Sequence, residues 1–178
     1  GSQSNPDDDL DFAGIFHGTH VAGIALGSDA VYSGVAPSAK LIDIKVLNHL
    51  GQGTTATMLL GLQWCMNHKD FPWPDQPPSH SGIDVLSLSL GSKARSDGRD
   101  ALSMMVNAAV AQGLVVVASA GNTASLGSGF GAPGAADGAT GGMSRRRALL
   151  SPRPSGIGPS GAVFRARRAG RWAARLLL

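Results

Sequence analysis

Three β-rich apolar runs, each separated from the next by a stretch with helical spacing, limit this chain to few architectures. Leu41 to Leu47 (Leu-Ile-Asp-Ile-Lys-Val-Leu), Ile83 to Leu90 and Leu114 to Ser119 have the composition and length of strands. Between the first two, Thr54 caps a stretch with Leu59, Leu62, Cys65 and Met66 on one face. Between the second and third, Asp100 starts a helix with Leu102, Val106, Ala109 and Val110 on one face, and Gly113 is placed to stop it. An earlier helix is expected over His17 to Gly27, with His17 or Thr19 as cap and Gly27 as stop. Pro72, Pro74, Pro77 and Pro78 exclude regular structure from Lys69 to Gly82. Strands alternating with helices imply parallel pairing through right-handed crossovers, so the expected class is α/β, a three-layer sandwich around a mainly parallel sheet. Burial of both sheet faces accounts for the unbroken Leu-Val-Val-Val of the third run. Ligands of such sheets sit beyond the carboxyl ends of the strands, which directs attention to Asn48 to Gly53, Ser89 to Ser92 and Ala120 to Thr123.

Charge divides the 178 residues in two. Residues 1–141 hold twelve aspartates, no glutamate and six basic residues, whereas residues 142–178 hold nine arginines and no acid, which brings the net charge to +3. The body is acidic, so a nucleic-acid-binding domain is not expected from it. The longest apolar run is far shorter than the roughly 18 residues of a membrane span, and no membrane association is expected. With Cys65 as its single cysteine, the chain has no internal disulfide and no multi-cysteine metal site; Cys65 reads as a small buried hydrophobe.

Motifs then narrow the function. His17-Gly18-Thr19-His20-Val21-Ala22-Gly23 resembles the histidine block of the subtilisin-like serine proteases. Gly34-Val35-Ala36-Pro37, Lys45-Val46-Leu47, Ser87-Leu88-Ser89-Leu90-Gly91 and Val115-Val116-Val117-Ala118-Ser119-Ala120-Gly121-Asn122 resemble further blocks of that family in the family's order. The likeness spans about residues 17 to 122 and fades through Gly131 to Ala139. It implies a subtilisin-like endopeptidase that cuts peptide bonds through an acyl-enzyme with an Asp-His-Ser triad. His17 matches the general base, and Asn122 matches the donor to the oxyanion. His20 matches a structural position; a His pair at i and i+3 is also a possible metal pair, but the chain has no Glu to serve beside it. Gly51, Gln52 and Gly53, together with Ser89, Leu90 and Gly91, match the two segments between which an extended polypeptide substrate lies as an added strand. Ala120 and Gly121 match the wall of the pocket for the residue before the scissile bond. The resemblance implies no cofactor for catalysis and a secreted or extracellular setting, and it leaves room for a structural calcium whose ligands are not identifiable here.

Two departures from the pattern shape the expected activity. No aspartate stands in an Asp-Thr-Gly or Asp-Ser-Gly context, since Asp7, Asp8, Asp9 and Asp11 come only six to ten residues before His17, and the triad aspartate is expected upstream of residue 1. No Gly-Thr-Ser-Met-Ala-like block follows Asn122; Ser144, Ser151, Ser155 and Ser160 lie in another context. The chain thus reads as a central part of the peptidase domain (residues 1–141) followed by a low-complexity Arg-rich tail (142–178), the product of a frame change in a GC-rich gene, with neither helical nor strand periodicity and expected to be disordered. The alternatives are a non-catalytic, peptide-binding pseudoprotease and a nucleic-acid binder acting through the basic tail.

Overall fold

The computed structural model describes residues 16–48, 50–74, 76–92, 94–122, 131–139 and 174–177. The elements run α1 (His17–Leu26), β1 (Asp43–Ile44), α2 (Thr55–Asn67), β2 (Val85–Leu88), α3 (Ala101–Ala111), β3 (Val115–Ala118) and β4 (Ala174–Leu177). The four strands form one parallel sheet in the order β1-β4-β2-β3. An α/β chain with a parallel sheet is what the alternating pattern demanded.

Local chemistry sets the helix ends. The Thr54 hydroxyl accepts from the Thr57 backbone N–H at 3.1 Å while the Thr54 N–H donates to Thr57 Oγ1 at 3.1 Å, a reciprocal cap that satisfies two otherwise orphaned donors. Asp100 Oδ1 accepts from the Ser103 N–H at 3.0 Å at the head of α3, and Gly113, in left-handed backbone at φ 94°, follows its end. At α1 the expectation needs correcting. Neither His17 nor Thr19 caps it; Phe16 occupies the cap position with no side-chain hydrogen bond, and His17 is the first helical residue. The start is fixed instead from the backbone, where the His20 N–H donates to the Phe16 carbonyl at 2.9 Å.

Helices α2 and α3 cover one face of the sheet. Leu86, Leu88, Val116 and Ala118 meet Leu62, Cys65, Met66, Leu102, Val106 and Ala109 there, all of them buried. The opposite face differs from expectation, because Val115 and Val117 are about 40% exposed and β3 alternates exposed and buried. An unbroken apolar run was read as doubly buried, yet this edge strand is fully buried on one side only. The first strand is also shorter than Leu41 to Leu47. Its ladder ends at Ile44, opposite the last residue of β4, and two residues on, the Val46 carbonyl accepts from Thr57 Oγ1 at 3.2 Å and is tied to α2. The proline loop holds one 3-10 turn, Pro78–His80, with proline at its start. It is docked on α2 by stacked rings: Trp64 and His68 have centroids 3.9 Å apart, and Trp73 lies 6.2 Å from each.

The tail expectation bears on few described residues. Those few, Ala174–Leu177, form β4 between β1 and β2, although no strand was read there. Four residues are too few for a period to emerge, and the ladder partners on both sides, not local propensity, hold the segment extended.

Asp100 gives this half of the molecule an acid sensitivity. Burial pushes its carboxyl pKa up, but the Ser96 hydroxyl and the Ser103 N–H and hydroxyl all donate to it and more than offset this, leaving the pKa below the usual carboxylate value. A depressed folded-state pKa contributes stability that is complete above the unfolded value and lost as pH falls through the folded one. Wild type is therefore expected to lose stability below about pH 4. Asp100→Ala is expected to cost about 1 kcal/mol at pH 7 and to show a shallower acid slope in urea titrations at pH 7 and pH 3. Parallel slopes for the two proteins would remove Asp100 from the account.

Candidate active site

Because β1, β2 and β3 are parallel, the segments that follow them emerge at one edge of the sheet: Asn48 to Gly53 after β1, Ser89 to Gly91 after β2, and Ser119 to Asn122 after β3. The first folds on itself. Asn48 Oδ1 accepts from the Leu50 and Gln52 N–H groups at 3.0 Å each, and the Asn48 N–H donates to the Gln52 carbonyl at 2.8 Å. Gly51, at φ 67°, turns the chain, and Gly51, Gln52 and Gly53 are exposed at its tip.

At the same edge stands His17, exposed in the first turn of α1, with Nε2 3.5 Å from the Ser89 hydroxyl. This contact joins residues 72 apart in sequence and brings together two positions singled out from separate motifs. A histidine facing a hydroxyl beside an open strand end is an arrangement able to move a proton between a nucleophile and a leaving group. Asn122 and Gly121 are exposed at the end of the third segment, with Ala120 partly buried behind them. His20 is exposed on α1, and among the described residues no three His, Cys, Asp or Glu side chains converge as a metal cluster would. Thr123, the last residue of the third segment, lies outside the described residues, as do Asp7, Asp8, Asp9 and Asp11 and the tail serines.

The residues that hold these segments were not legible as site residues. Ser119 donates its hydroxyl to the Leu90 carbonyl at 3.0 Å and its N–H to the Leu88 carbonyl at 3.0 Å, locking the second segment to the third. The Leu90 carbonyl, read from sequence as available to a peptide, thus already has one partner. Behind them runs Gly131 to Ala139, with Pro133 fully buried and Ala132, Ala136 and Ala139 in the core. The Ser92 N–H donates to the Ala132 carbonyl at 2.7 Å, and the Ala132 N–H to Ser92 Oγ at 3.2 Å. Gly131 and Gly134 press so closely that an added Cβ would stand 2.1 Å from the Ser92 carbonyl oxygen and 2.3 Å from that of Ser119. The available signal was the Gly-Ala-Pro-Gly spacing, which reads equally as a turn.

Comparison with known proteins gives this geometry a context. The profile of the subtilase family matches residues 2–146. The chain belongs to the subtilase family. Among curated relatives, subtilisin DY of Bacillus licheniformis is 41% identical over 114 residues, 63% of this chain and 36% of that protein. Serine protease AprX of Bacillus subtilis is 40% identical over 114 residues, 60% of this chain and 24% of that protein. Subtilisin E of the same species is 38% identical over 129 residues, covering 71% and 29%. This subtilase chain therefore spans about a quarter to a third of the length of the relatives it matches.

Proposed function

We propose that the chain carries the histidine and oxyanion portion of a subtilisin-like serine endopeptidase. The observation that carries this reading is His17 at the head of α1, its Nε2 directed at a hydroxyl on the loop after β2, in a chain whose family is the subtilases. In the complete enzyme, His17 Nε2 takes the proton of the nucleophilic serine as its oxygen bonds to the scissile carbonyl carbon. The same nitrogen returns the proton to the departing amine as the C–N bond breaks, and water then releases the acyl group by the reverse roles. The Asn122 amide donates to the oxygen that turns negative in the tetrahedral intermediate, a contact worth most in the transition state. An extended polypeptide lies between Gly51, Gln52 and Gly53 on one side and Ser89, Leu90 and Gly91 on the other. Ala120 and Gly121 wall the pocket before the scissile bond. The route needs no cofactor.

The 178 residues as they stand hold no recognisable nucleophile block and no aspartate in the family context, so they are expected neither to turn over peptide substrates nor to react with a fluorophosphonate. Stoichiometric labelling that His17→Ala abolishes would overturn this, with Ser89 the first residue to map. In the full-length parent enzyme, His17→Ala is expected to abolish acylation. Asn122→Ala there should lower kcat with KM nearly unchanged. An equal effect on both parameters would speak against the oxyanion role. Stoichiometric binding of peptides without turnover by the parent would favour the pseudoprotease instead.

A further inference from the structure

Two Asp-Gly pairs occur in the chain, Asp97-Gly98 and Asp137-Gly138, and they share a setting. Asp97, Gly98, Arg99 and Asp137 line one open, polar recess of about 470 Å³, so water reaches both. Their hydrogen bonds differ. Asp97 Oδ1 accepts from the Arg99 N–H at 2.9 Å, which folds the carboxyl back across the Gly98 peptide. The Gly98 N–H donates to Ser96 Oγ at 3.0 Å, and the Ser96 hydroxyl donates in turn to Asp100 Oδ2. A line of hydrogen bonds thus runs from the Gly98 nitrogen to a carboxylate. At the second pair, the Gly138 N–H ends at 2.8 Å on the side-chain amide oxygen of Asn107, a group that takes up no proton. Gly98 also has no Cβ to obstruct its nitrogen, and packing keeps it so: it holds φ 83°, and an added methyl would stand 2.7 Å from the Ala135 carbonyl oxygen.

We propose that Asp97-Gly98 is a self-modifying site, where the backbone rearranges to an isoaspartyl linkage with Ser96 and Asp100 relaying the proton. The Gly98 nitrogen bonds to Cγ of the Asp97 carboxylic acid. Its proton passes to Ser96 Oγ as the Ser96 hydroxyl proton passes to Asp100 Oδ2. The bond from Cγ to its hydroxyl oxygen then breaks, and the departing hydroxide takes the proton from Asp100 and leaves as water. A five-membered succinimide remains. Water from the recess opens it on either side of the nitrogen: one cleavage restores aspartate, the other routes the main chain through Cβ and Cγ. The sole co-reactant is water, and nothing is oxidised or reduced. The extra backbone atom enters a segment packed on Ala135 and leading into the Asp100 cap of α3. The inference is independent of the catalytic reading, and its test involves no peptidase activity.

The test is ageing of the full chain at neutral pH. Isoaspartate is counted by protein isoaspartyl methyltransferase and placed with an endoprotease that cuts before aspartate but not before isoaspartate. Position 97 is expected to accumulate it at least about tenfold faster than position 137, which has the same dipeptide and the same recess but no relay. Ser96→Ala should bring position 97 down toward the rate at 137, whereas Ser96→Thr, which keeps the hydroxyl, should retain the wild-type rate. Asp97→Glu, whose ring would be six-membered, should leave position 97 unmarked. The comparison of the two positions needs no variant, so it decides the matter even if a substitution disturbs folding. Equal accumulation at 97 and 137, absence of isoaspartate at 97, or a Ser96→Ala rate equal to or above wild type would each overturn the proposal.

Discussion

Gly134→Ala is expected to destabilise the protein by about 2–4 kcal/mol, a large share of the 5–15 kcal/mol that holds a typical domain together. The added methyl group would stand 2.3 Å from the Ser119 carbonyl oxygen, and the obstacle is backbone on both sides, so no side-chain rotation relieves it. Either Gly134 moves out or Ser119 moves forward. Both outcomes loosen the bond from Ser119 Oγ to the Leu90 carbonyl, which joins the loops after β2 and β3. Gly131→Ala, whose methyl would stand 2.1 Å from the Ser92 carbonyl oxygen, should behave alike. Gly23→Ala is the control. That glycine sits inside α1 with nothing within 4 Å of the added carbon, so alanine should be neutral or should gain about 0.5–1 kcal/mol from helix propensity. Urea midpoints at constant m-value measure all three. A Gly134→Ala loss below about 0.5 kcal/mol would show that the 131–139 segment does not brace these loops.

A comparable loss, about 3 kcal/mol, is expected from Leu86→Ala. Leu86 is fully buried in β2, on the face met by α2 and α3, where its side chain fills space among other fully or nearly fully buried neighbours such as Leu62, Val106 and Val116. Truncation leaves a hole that close-packed neighbours close only in part. Val117→Ala, on the 40% exposed face of β3, should cost well under half as much. If the two substitutions cost the same in denaturant titrations, a covering layer also lies over the Val117 face, and the one-sided packing described for β3 is incomplete.

How far the sequence could be read depended on the range of the interaction concerned. The starts of α2 and α3 were visible because Thr54 and Asp100 act on backbone N–H groups three residues away, within a window that local pattern samples. The short ladder of β1 and the insertion of β4 were not visible, since each depends on a strand more than 80 residues distant. The one-sided exposure of Val115 and Val117 escaped for a related reason: an apolar run reports a preference for burial and not whether a partner layer is present. At the site, His17 and the Ser89 segment could be named from motifs because their residue types carry the chemistry. Ser119, Gly131 and Gly134 act by position alone, and a serine or glycine in a loop has many other reasons to be there.

The stacked rings of Trp64, His68 and Trp73 carry an experimental consequence. Two of the three tryptophans in the chain lie at the junction of α2 and the proline loop, and the Trp73 indole N–H also donates to the Gly82 carbonyl at 3.1 Å. Intrinsic emission from these two residues thus reports on the junction of α2 and the proline loop, whereas far-ultraviolet dichroism averages over every helix. If unfolding curves from the two signals coincide, that corner and the rest melt as one cooperative unit. If emission changes first, the proline loop peels from α2 while the helices persist, and the protein has a sub-global opening that an optical titration can time without any introduced label.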